Sequence, residues 1–261
     1  MLKNRPYFGI NSILKQQYNM KTKVLFSPNF NKKKRSKKSI NMIIIHYTGM
    51  QSERESLKRL TDLKFKVSCH YFINKRGEVF NMVNEANIAW HAGLSCWSKK
   101  KNLNKNSIGI ELENKGHQFG YTNFKKKQIK KLIILSKILI KKYKIAPKNV
   151  IGHSDIAPTR KKDPGEKFPW ELLSKKKIGL WHNLNSNFLK KLKKKRIRTR
   201  QDKKIFISCL SKIGYCIYPK ISSLIYSKTV KSFQRHFRQD IVDGKLDQEC
   251  LIIASNLVKK L

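Results

Sequence analysis

Three side chains that can bind a metal ion end or follow short apolar segments of this sequence. His46 ends the run MIII, His153 ends NVIG, and Asp163 lies ten residues after His153, in RKKDPGEKFPW. Strand ends that face a cleft are common positions for functional groups. Two imidazoles and one carboxylate are also the ligands that a catalytic zinc ion takes while its fourth position stays open for water. Taken singly, each histidine has a core or surface role as its commoner alternative, and an aspartate before proline is an ordinary turn residue.

Two glutamates share one face of a predicted strand. In SIGIELEN, the alternation of a strand places Glu111 and Glu113 opposite the isoleucines and the leucine between them. A carboxylate beside a zinc-activated water can act as the general base. The alternative is a pair of solvent-facing acids, although the chain has only 16 acidic residues in all.

A lysine precedes the aspartate of the predicted metal site by two positions. Lys161 is close enough to Asp163 along the loop to reach the same cleft. A fixed cation there could stabilise the negative charge of a tetrahedral intermediate. Most lysines of this chain are expected to lie on the surface, which is the alternative for Lys161.

The elements that would position these residues alternate along the chain. Apolar patterning predicts strands over 42–46, 67–73, 78–83, 107–114 and 149–153, and helices over 53–65 and 125–143. This order favours an α/β fold with a mixed central sheet flanked by helices. After a basic stretch, the last sixty or so residues have helical patterning and predict a small helical module at the C-terminus.

The composition limits the class of protein. The chain has 261 residues and a formal charge of +43, which would attract any polyanion, including nucleic acid and acidic wall polymers. The lysines, however, are spread along the chain together with many asparagines and isoleucines, so codon bias explains them without a nucleic-acid surface. No apolar run approaches the roughly 18–20 residues that cross a bilayer. We therefore expect neither a specific nucleic-acid partner nor a transmembrane segment.

The five cysteines contain no CxxC pair and leave one thiol over. This pattern argues against a disulfide framework and against a zinc site made of cysteines.

Several phrases of the sequence together resemble a known family. From about Phe26 to Trp181, the phrases FSPNFN, IIIHYTGM, VSCHYFI, AWHAG, SIGIELEN, VIGHSDIAPTRKKDPGEKFPW and GLW follow one another. In this order they resemble the type 2 N-acetylmuramoyl-L-alanine amidases, which have the peptidoglycan recognition protein fold. The resemblance implies a zinc enzyme that cleaves the amide bond between the muramoyl lactyl group and L-alanine of the stem peptide.

The family's functional positions fall on residues already singled out. The resemblance implies one zinc ion per chain, with His46, His153 and Asp163 as its ligands. It assigns the catalytic glutamate to Glu111, with Glu113 as the alternative base, and the lysine near the oxyanion to Lys161.

Family-like phrases also contain residues that could bind substrate, namely Tyr71, Trp90 and His91. Each has an alternative role inside the protein: Tyr71 as a core aromatic, and the Trp90–His91 pair as a buried tryptophan beside a hydrogen-bonded histidine. A second interpretation is that the chain has this fold and binds peptidoglycan without cutting it. The complete ligand set, with its glutamate and lysine, favours the enzyme.

The C-terminal segments LSKIGY, FQRHF and DGKLD resemble the three-helix peptidoglycan-binding domain that often accompanies these amidases. The usual connection of that domain contains glycine, whereas here the segment is CIYPKISSLIYSK. The alternative is therefore a helical bundle that only packs against the amidase. The predicted organisation is an N-terminal extension (1–25), a zinc amidase domain (26–182), a basic linker (183–204) and a peptidoglycan-binding-like helical domain (205–261).

The expected partners are peptidoglycan or muropeptides, and the chain is expected to act as a monomer. The wall-binding-like domain favours the cell envelope, whereas the lack of a legible signal peptide favours the cytoplasm, so the compartment stays open. Because every proposed catalytic residue precedes Asn183, a chain ending there is expected to hydrolyse small muropeptides.

Overall fold

The computed structural model describes residues 20–197, 199–217 and 221–261, so most of the predicted N-terminal extension (1–25) lies outside the described residues. The chain forms two compact units. Of the described residues, the first unit contains 20–93 and Asn104–Ala146, and the second contains Leu94–Leu103 and those from Pro147 to Leu261. The domain boundaries predicted from the sequence stay a prediction.

The strands are short except where they carry the predicted site. In chain order they are β1 (Lys23–Val24), β2 (Phe30–Asn31), β3 (Met42–Tyr47), β4 (Tyr71–Ile73), β5 (Val79–Asn81), β6 (Ile88–Ala89), β7 (Cys96–Trp97), β8 (Lys100–Lys101), β9 (Ser107–Leu112) and β10 (Val150–Gly152). Within the first unit, the central sheet has the order β1-β5-β4-β9-β3. The β4–β5 pair is antiparallel, whereas β1–β5, β4–β9 and β3–β9 are parallel. The sheet is therefore mixed, which confirms the predicted fold class.

The two longest strands, β3 and β9, form the centre of this arrangement. All six residues of β9, and five of the six in β3, are buried. Burial on both faces explains why β3 appears in the sequence as a continuous apolar run rather than as an alternating pattern.

The helices flank the sheet and continue to the C-terminus. They are α1 (Glu53–Thr61), α2 (Lys126–Tyr143), α3 (His153–Ile156), α4 (Trp170–Lys175), α5 (Ser186–Leu192), α6 (Arg200–Ile213), α7 (Ser223–Phe237) and α8 (Gln248–Val258). On α2, the buried side chains Ile129, Leu132, Leu135 and Leu139 recur at helical spacing. This stripe is the amphipathic pattern that predicted a helix over 125–143.

Three C-terminal helices, α6 to α8, confirm the small three-helix module. Phe206 of α6 and Phe233 of α7 pack edge to face, with ring centroids 5.2 Å apart. Part of the segment predicted as a basic linker is helical, because α5 lies within it and α6 begins at Arg200. Thr199 stabilises the start of α6 by accepting a hydrogen bond from the Asp202 amide (3.1 Å).

The cysteine prediction was wrong in one respect, because Cys96 and Cys216 form a disulfide across 120 positions of sequence. The other three cysteines, Cys69, Cys209 and Cys250, are buried thiols. Spacing alone does not reveal a pair so far apart, since the fold brings the two residues together.

Among the described residues, no helix is both long enough and apolar enough to span a membrane.

Candidate metal centre

The first predicted ligand, His46, is the fifth residue of β3 and is almost fully buried. Its register partner on the parallel neighbour β9 is Glu111. Register partners on neighbouring strands project to the same face of a sheet. The sheet therefore places the predicted base beside the predicted ligand.

A second histidine contacts His46 inside the first unit. His91 Nδ1 lies 3.1 Å from His46 Nε2, and His91 Nε2 lies 3.3 Å from the Ser107 hydroxyl. The His91 ring packs so closely over Gly109 that a Cβ there would come within 2.4 Å of it. His91 is 5% exposed, which favours the alternative of a buried, hydrogen-bonded histidine, and its contact with substrate stays a prediction.

Tyr71 belongs to the core. Its side chain has no exposed surface, and its hydroxyl donates to the buried Glu85 carboxylate. Burial, and then the charge of Glu85, raise the pKa of Tyr71 well above its usual value. Tyr143 and Lys142 also donate to Glu85. These contacts favour the alternative role of a core aromatic, and the substrate contact of Tyr71 stays a prediction.

The neighbouring histidine of the same family-like phrase is also internal. His70 accepts a hydrogen bond from the Gly109 amide at Nδ1 (3.0 Å), and the Arg35 guanidinium lies 2.8 Å from its Nε2. Burial, followed by the charge of Arg35, lowers the pKa of His70 well below its usual value. His70 is thus a neutral buried side chain that supports β9.

The other two predicted ligands lie in the second unit, on the segment that follows β10. His153 is the first residue of α3, and its Nδ1 lies 3.0 Å from Asp163 Oδ2. The Ser154 amide donates to the Asp163 carbonyl (2.8 Å), which joins the two ends of this segment. The peptide bond between Asp163 and Pro164 is cis.

These three residues form a possible metal site. One ligand atom each from His46, His153 and Asp163 lies within 4.8 Å of the other two, and all three side chains are buried. Two imidazole nitrogens and one carboxylate oxygen form a donor set that suits zinc. The residues therefore fit the ion that the resemblance implies.

The two candidate bases differ in their surroundings. Glu113 accepts a hydrogen bond from the Lys75 amide (2.9 Å) and forms an ion pair with Lys75 Nζ (3.4 Å). Glu111 instead lies in register with the predicted ligand His46. This favours Glu111 as the base.

Lys161 and Trp90 are half-buried. The Lys161 amide donates to the Ala157 carbonyl (2.9 Å), so its backbone is fixed close to Asp163. The Trp90 indole donates to Asn31 Oδ1 (2.5 Å). The oxyanion role of Lys161 and the substrate contact of Trp90 stay predictions.

Asp155 received no role from the sequence, although it is one of the most deeply buried charged side chains. Its Oδ2 accepts the amide of Gly152 (2.8 Å), immediately before His153. The signal available in the sequence was an aspartate two residues after a predicted ligand, in a chain with few acidic residues.

The family model described as N-acetylmuramoyl-L-alanine amidase matches residues 36–166. The amidase AmiD of Escherichia coli (strain K12) is 37% identical over 234 residues, which cover 85% of this chain and 83% of that protein. Its structure in complex with the substrate anhydro-N-acetylmuramic acid-L-Ala-D-gamma-Glu-L-Lys aligns with a TM-score of 0.75 at 33% identity, covering 88% of this chain and 92% of that one. AmpDh3 from Pseudomonas aeruginosa, in complex with anhydromuramic pentapeptide, aligns with a TM-score of 0.76 at 30% identity, covering 90% of this chain and 98% of that one.

Proposed function

The chain belongs to the N-acetylmuramoyl-L-alanine amidase family, and we propose that it hydrolyses muropeptides with a zinc ion held by His46, His153 and Asp163. The bond cleaved joins an N-acetylmuramoyl or anhydro-N-acetylmuramoyl residue to L-alanine. One observation carries this assignment, namely the buried cluster of two imidazoles and one carboxylate within 4.8 Å. The family is zinc-dependent in general, and we propose one zinc ion per chain.

In the proposed mechanism, the protein supplies a base and a fixed cation. When bound, zinc would lower the pKa of water towards about 7 and polarise the scissile carbonyl. Glu111 takes a proton from the water that attacks the carbonyl carbon. The same carboxyl group then gives that proton to the alanine nitrogen as the C–N bond breaks. Lys161 stabilises the negative charge that develops on the carbonyl oxygen.

Two relatives support a particular form of the substrate. The AmiD and AmpDh3 complexes hold anhydromuramic peptides, which supports a small anhydromuropeptide as a substrate. We keep residues 26–182 as the proposed catalytic region, 183–204 as a basic connection and 205–261 as a peptidoglycan-binding-like module. The monomeric state stays a prediction.

The decisive experiment measures metal content and hydrolysis on the same samples. We expect about one zinc per chain and release of the peptide from anhydro-N-acetylmuramyl-L-Ala-D-γ-Glu-L-Lys. His46→Ala, His153→Ala and Asp163→Ala should each lower zinc content and abolish hydrolysis, whereas His182→Phe, which changes a histidine outside the cluster, should retain both.

Two results would contradict the proposal. Full zinc content and rate in all three alanine variants would remove the site assignment. Binding of the muropeptide by the zinc-loaded wild type without release of peptide would favour the non-catalytic recognition protein instead.

A further inference from the structure

A buried carboxylate connects the ligand-bearing segment to the C-terminal helices. Asp155 is 1% exposed. Its Oδ1 accepts from the Tyr215 hydroxyl (2.6 Å) and faces the Ser232 hydroxyl (3.3 Å), while His236 Nδ1 lies 2.7 Å from its Oδ2. The same Oδ2 accepts the Gly152 amide. We call these side chains, with Asp155, the Asp155 network.

Helix α7 also contacts the ligand-bearing segment elsewhere. The Ser232 hydroxyl donates to the Ser154 carbonyl (2.7 Å), next to His153. The rings of Trp170 and His236 stack with centroids 3.8 Å apart, and the Trp170 ring lies beside Gly152. The segment is therefore held at its start by a carboxylate and at its side by an aromatic stack.

Removing a hydrogen-bond donor from a buried carboxylate destabilises the folded protein, because no water replaces the lost hydrogen bond. In this arrangement Asp155 Oδ1 lies beside two hydroxyls, and Oδ2 lies beside the Gly152 amide and His236 Nδ1. The orientation of Asp155 fixes the Gly152 amide, and the bond from Ser154 to Asp163 links both ligands to that fixed point. The geometry of His153 and Asp163 thus depends on Tyr215 and His236, which lie 60 and 81 positions after Asp155 in the sequence.

We propose that Tyr215, Ser232 and His236 are positioning residues that hold His153 and Asp163 in the arrangement that binds the metal. This inference rests on the proposed zinc site. It makes the C-terminal helical module part of the support of the metal centre, in addition to any role in binding peptidoglycan. The expectation that a chain ending near Asn183 keeps its activity is revised accordingly, because that chain lacks all three positioning residues.

The test uses conservative variants of the full chain. Tyr215→Phe removes one hydroxyl and keeps the ring, and Ser232→Ala removes the other. We expect Tyr215→Phe to weaken zinc binding by about 10-fold, within the range for partners that support metal ligands, and the double variant to weaken it further. The dissociation constant for Zn²⁺ is measured by competition with a chelator, and the absorption spectrum of the Co²⁺-loaded protein reports the ligand geometry.

Two controls separate positioning from general stability. Tyr226→Phe and Ser227→Ala change the same residue types on α7, away from Asp155, and should leave the zinc affinity unchanged. Tyr143→Phe removes a tyrosine hydroxyl from another buried carboxylate, Glu85. It should lower the melting temperature without changing the zinc affinity or the Co²⁺ spectrum.

The outcomes are distinct. Unchanged zinc affinity and Co²⁺ spectrum in both Tyr215→Phe and the double variant would overturn the inference, as would an equal loss of affinity in Tyr143→Phe. Either result would leave the proposed amidase function standing if the wild type hydrolyses its substrate. Failure of the wild type to hydrolyse, with the affinity losses as expected, would instead contradict the function and keep the positioning role.

Discussion

The proposed ligands are held in place in two different ways. His46 lies on a six-residue strand whose backbone is fixed by its parallel neighbour β9, with His91 against its ring. His153 and Asp163 lie where the chain has left the sheet, and side chains from the C-terminal helices support that segment through Asp155. The first arrangement depends on a backbone ladder, and the second depends on a few buried polar side chains.

The two kinds of support differ in how strongly a single side-chain change disturbs the ligand that they hold. A strand in a central position shares its stability with the whole sheet, so one side-chain change there leaves the backbone in place. A segment held by a buried carboxylate is sensitive to the loss of a single hydroxyl, because no water can replace the lost hydrogen bond. We therefore expect changes on the strand to separate chemistry from metal binding more cleanly than changes near the Asp155 network.

Among changes to residues of β3 and β9, replacement of the proposed base, Glu111, should have the largest effect on turnover. Glu111→Gln keeps the shape of the side chain and removes its ability to take a proton. We expect zinc to stay bound while the turnover number falls by roughly 10²–10⁴-fold, the range for a lost general base. Zinc content and the turnover number on an anhydromuropeptide are measured together.

Glu113→Gln is the matched control for this change. Glu113 is two positions away on the same segment and is engaged with Lys75, so its loss should affect turnover much less. The reverse ranking would move the base to Glu113.

A smaller effect is expected from the side chain that contacts the strand ligand. His91→Ala removes the contact to His46 Nε2, and we expect zinc affinity to fall by about 10-fold, at the lower end of the range for such partners. Ser107→Ala removes the partner on the far side of His91 and should cause a smaller loss. An unchanged zinc affinity in His91→Ala would mean that the sheet alone positions His46.

The sequence predicted the strand-held part of the site better than the rest. The run MIIIH and the strand SIGIELEN are local patterns, so they predicted the positions of His46 and Glu111 directly. The contacts of Asp155 with Tyr215 and His236, like the disulfide of Cys96 with Cys216, join residues far apart in sequence. No local pattern encodes such pairs, since the packing of distant elements decides them.

The dependence on distant packing partners also explains why the sequence left the substrate-binding roles open. Tyr71 and His91 were singled out because of their residue types within family-like phrases. Whether an aromatic side chain faces a cleft or the core depends on which partner covers it, and here Glu85 and His46 are the partners. Residue type alone therefore left both roles open.

The smallest expected effect concerns acid and the packing around α7. The His182 ring stacks on Trp181, and Trp181 packs against Phe237 at the end of α7, with centroids 4.9 and 6.1 Å apart. Burial lowers the pKa of His182 from 6.5 to about 4, with Lys260 adding to the effect and Glu171 opposing it. The folded protein thus keeps His182 neutral where the unfolded chain would protonate it.

The direction of the pH dependence follows from this difference. Because the folded pKa is the lower one, the contribution to stability is complete above pH 6.5 and is lost as the pH falls from 6.5 towards 4. At pH 5 the loss should be about 1 kcal/mol, after allowance for the partial exposure of the ring. For a chain of this size that corresponds to roughly 2–4 °C in melting temperature. His182→Phe keeps the stack and cannot be protonated, so its melting temperature should fall less between pH 7 and pH 5 than that of the wild type. Equal falls in the two proteins would show that acid acts on other groups, such as the deeply buried His70 beneath β9, and that the packing around α7 is no more sensitive to pH than the sheet.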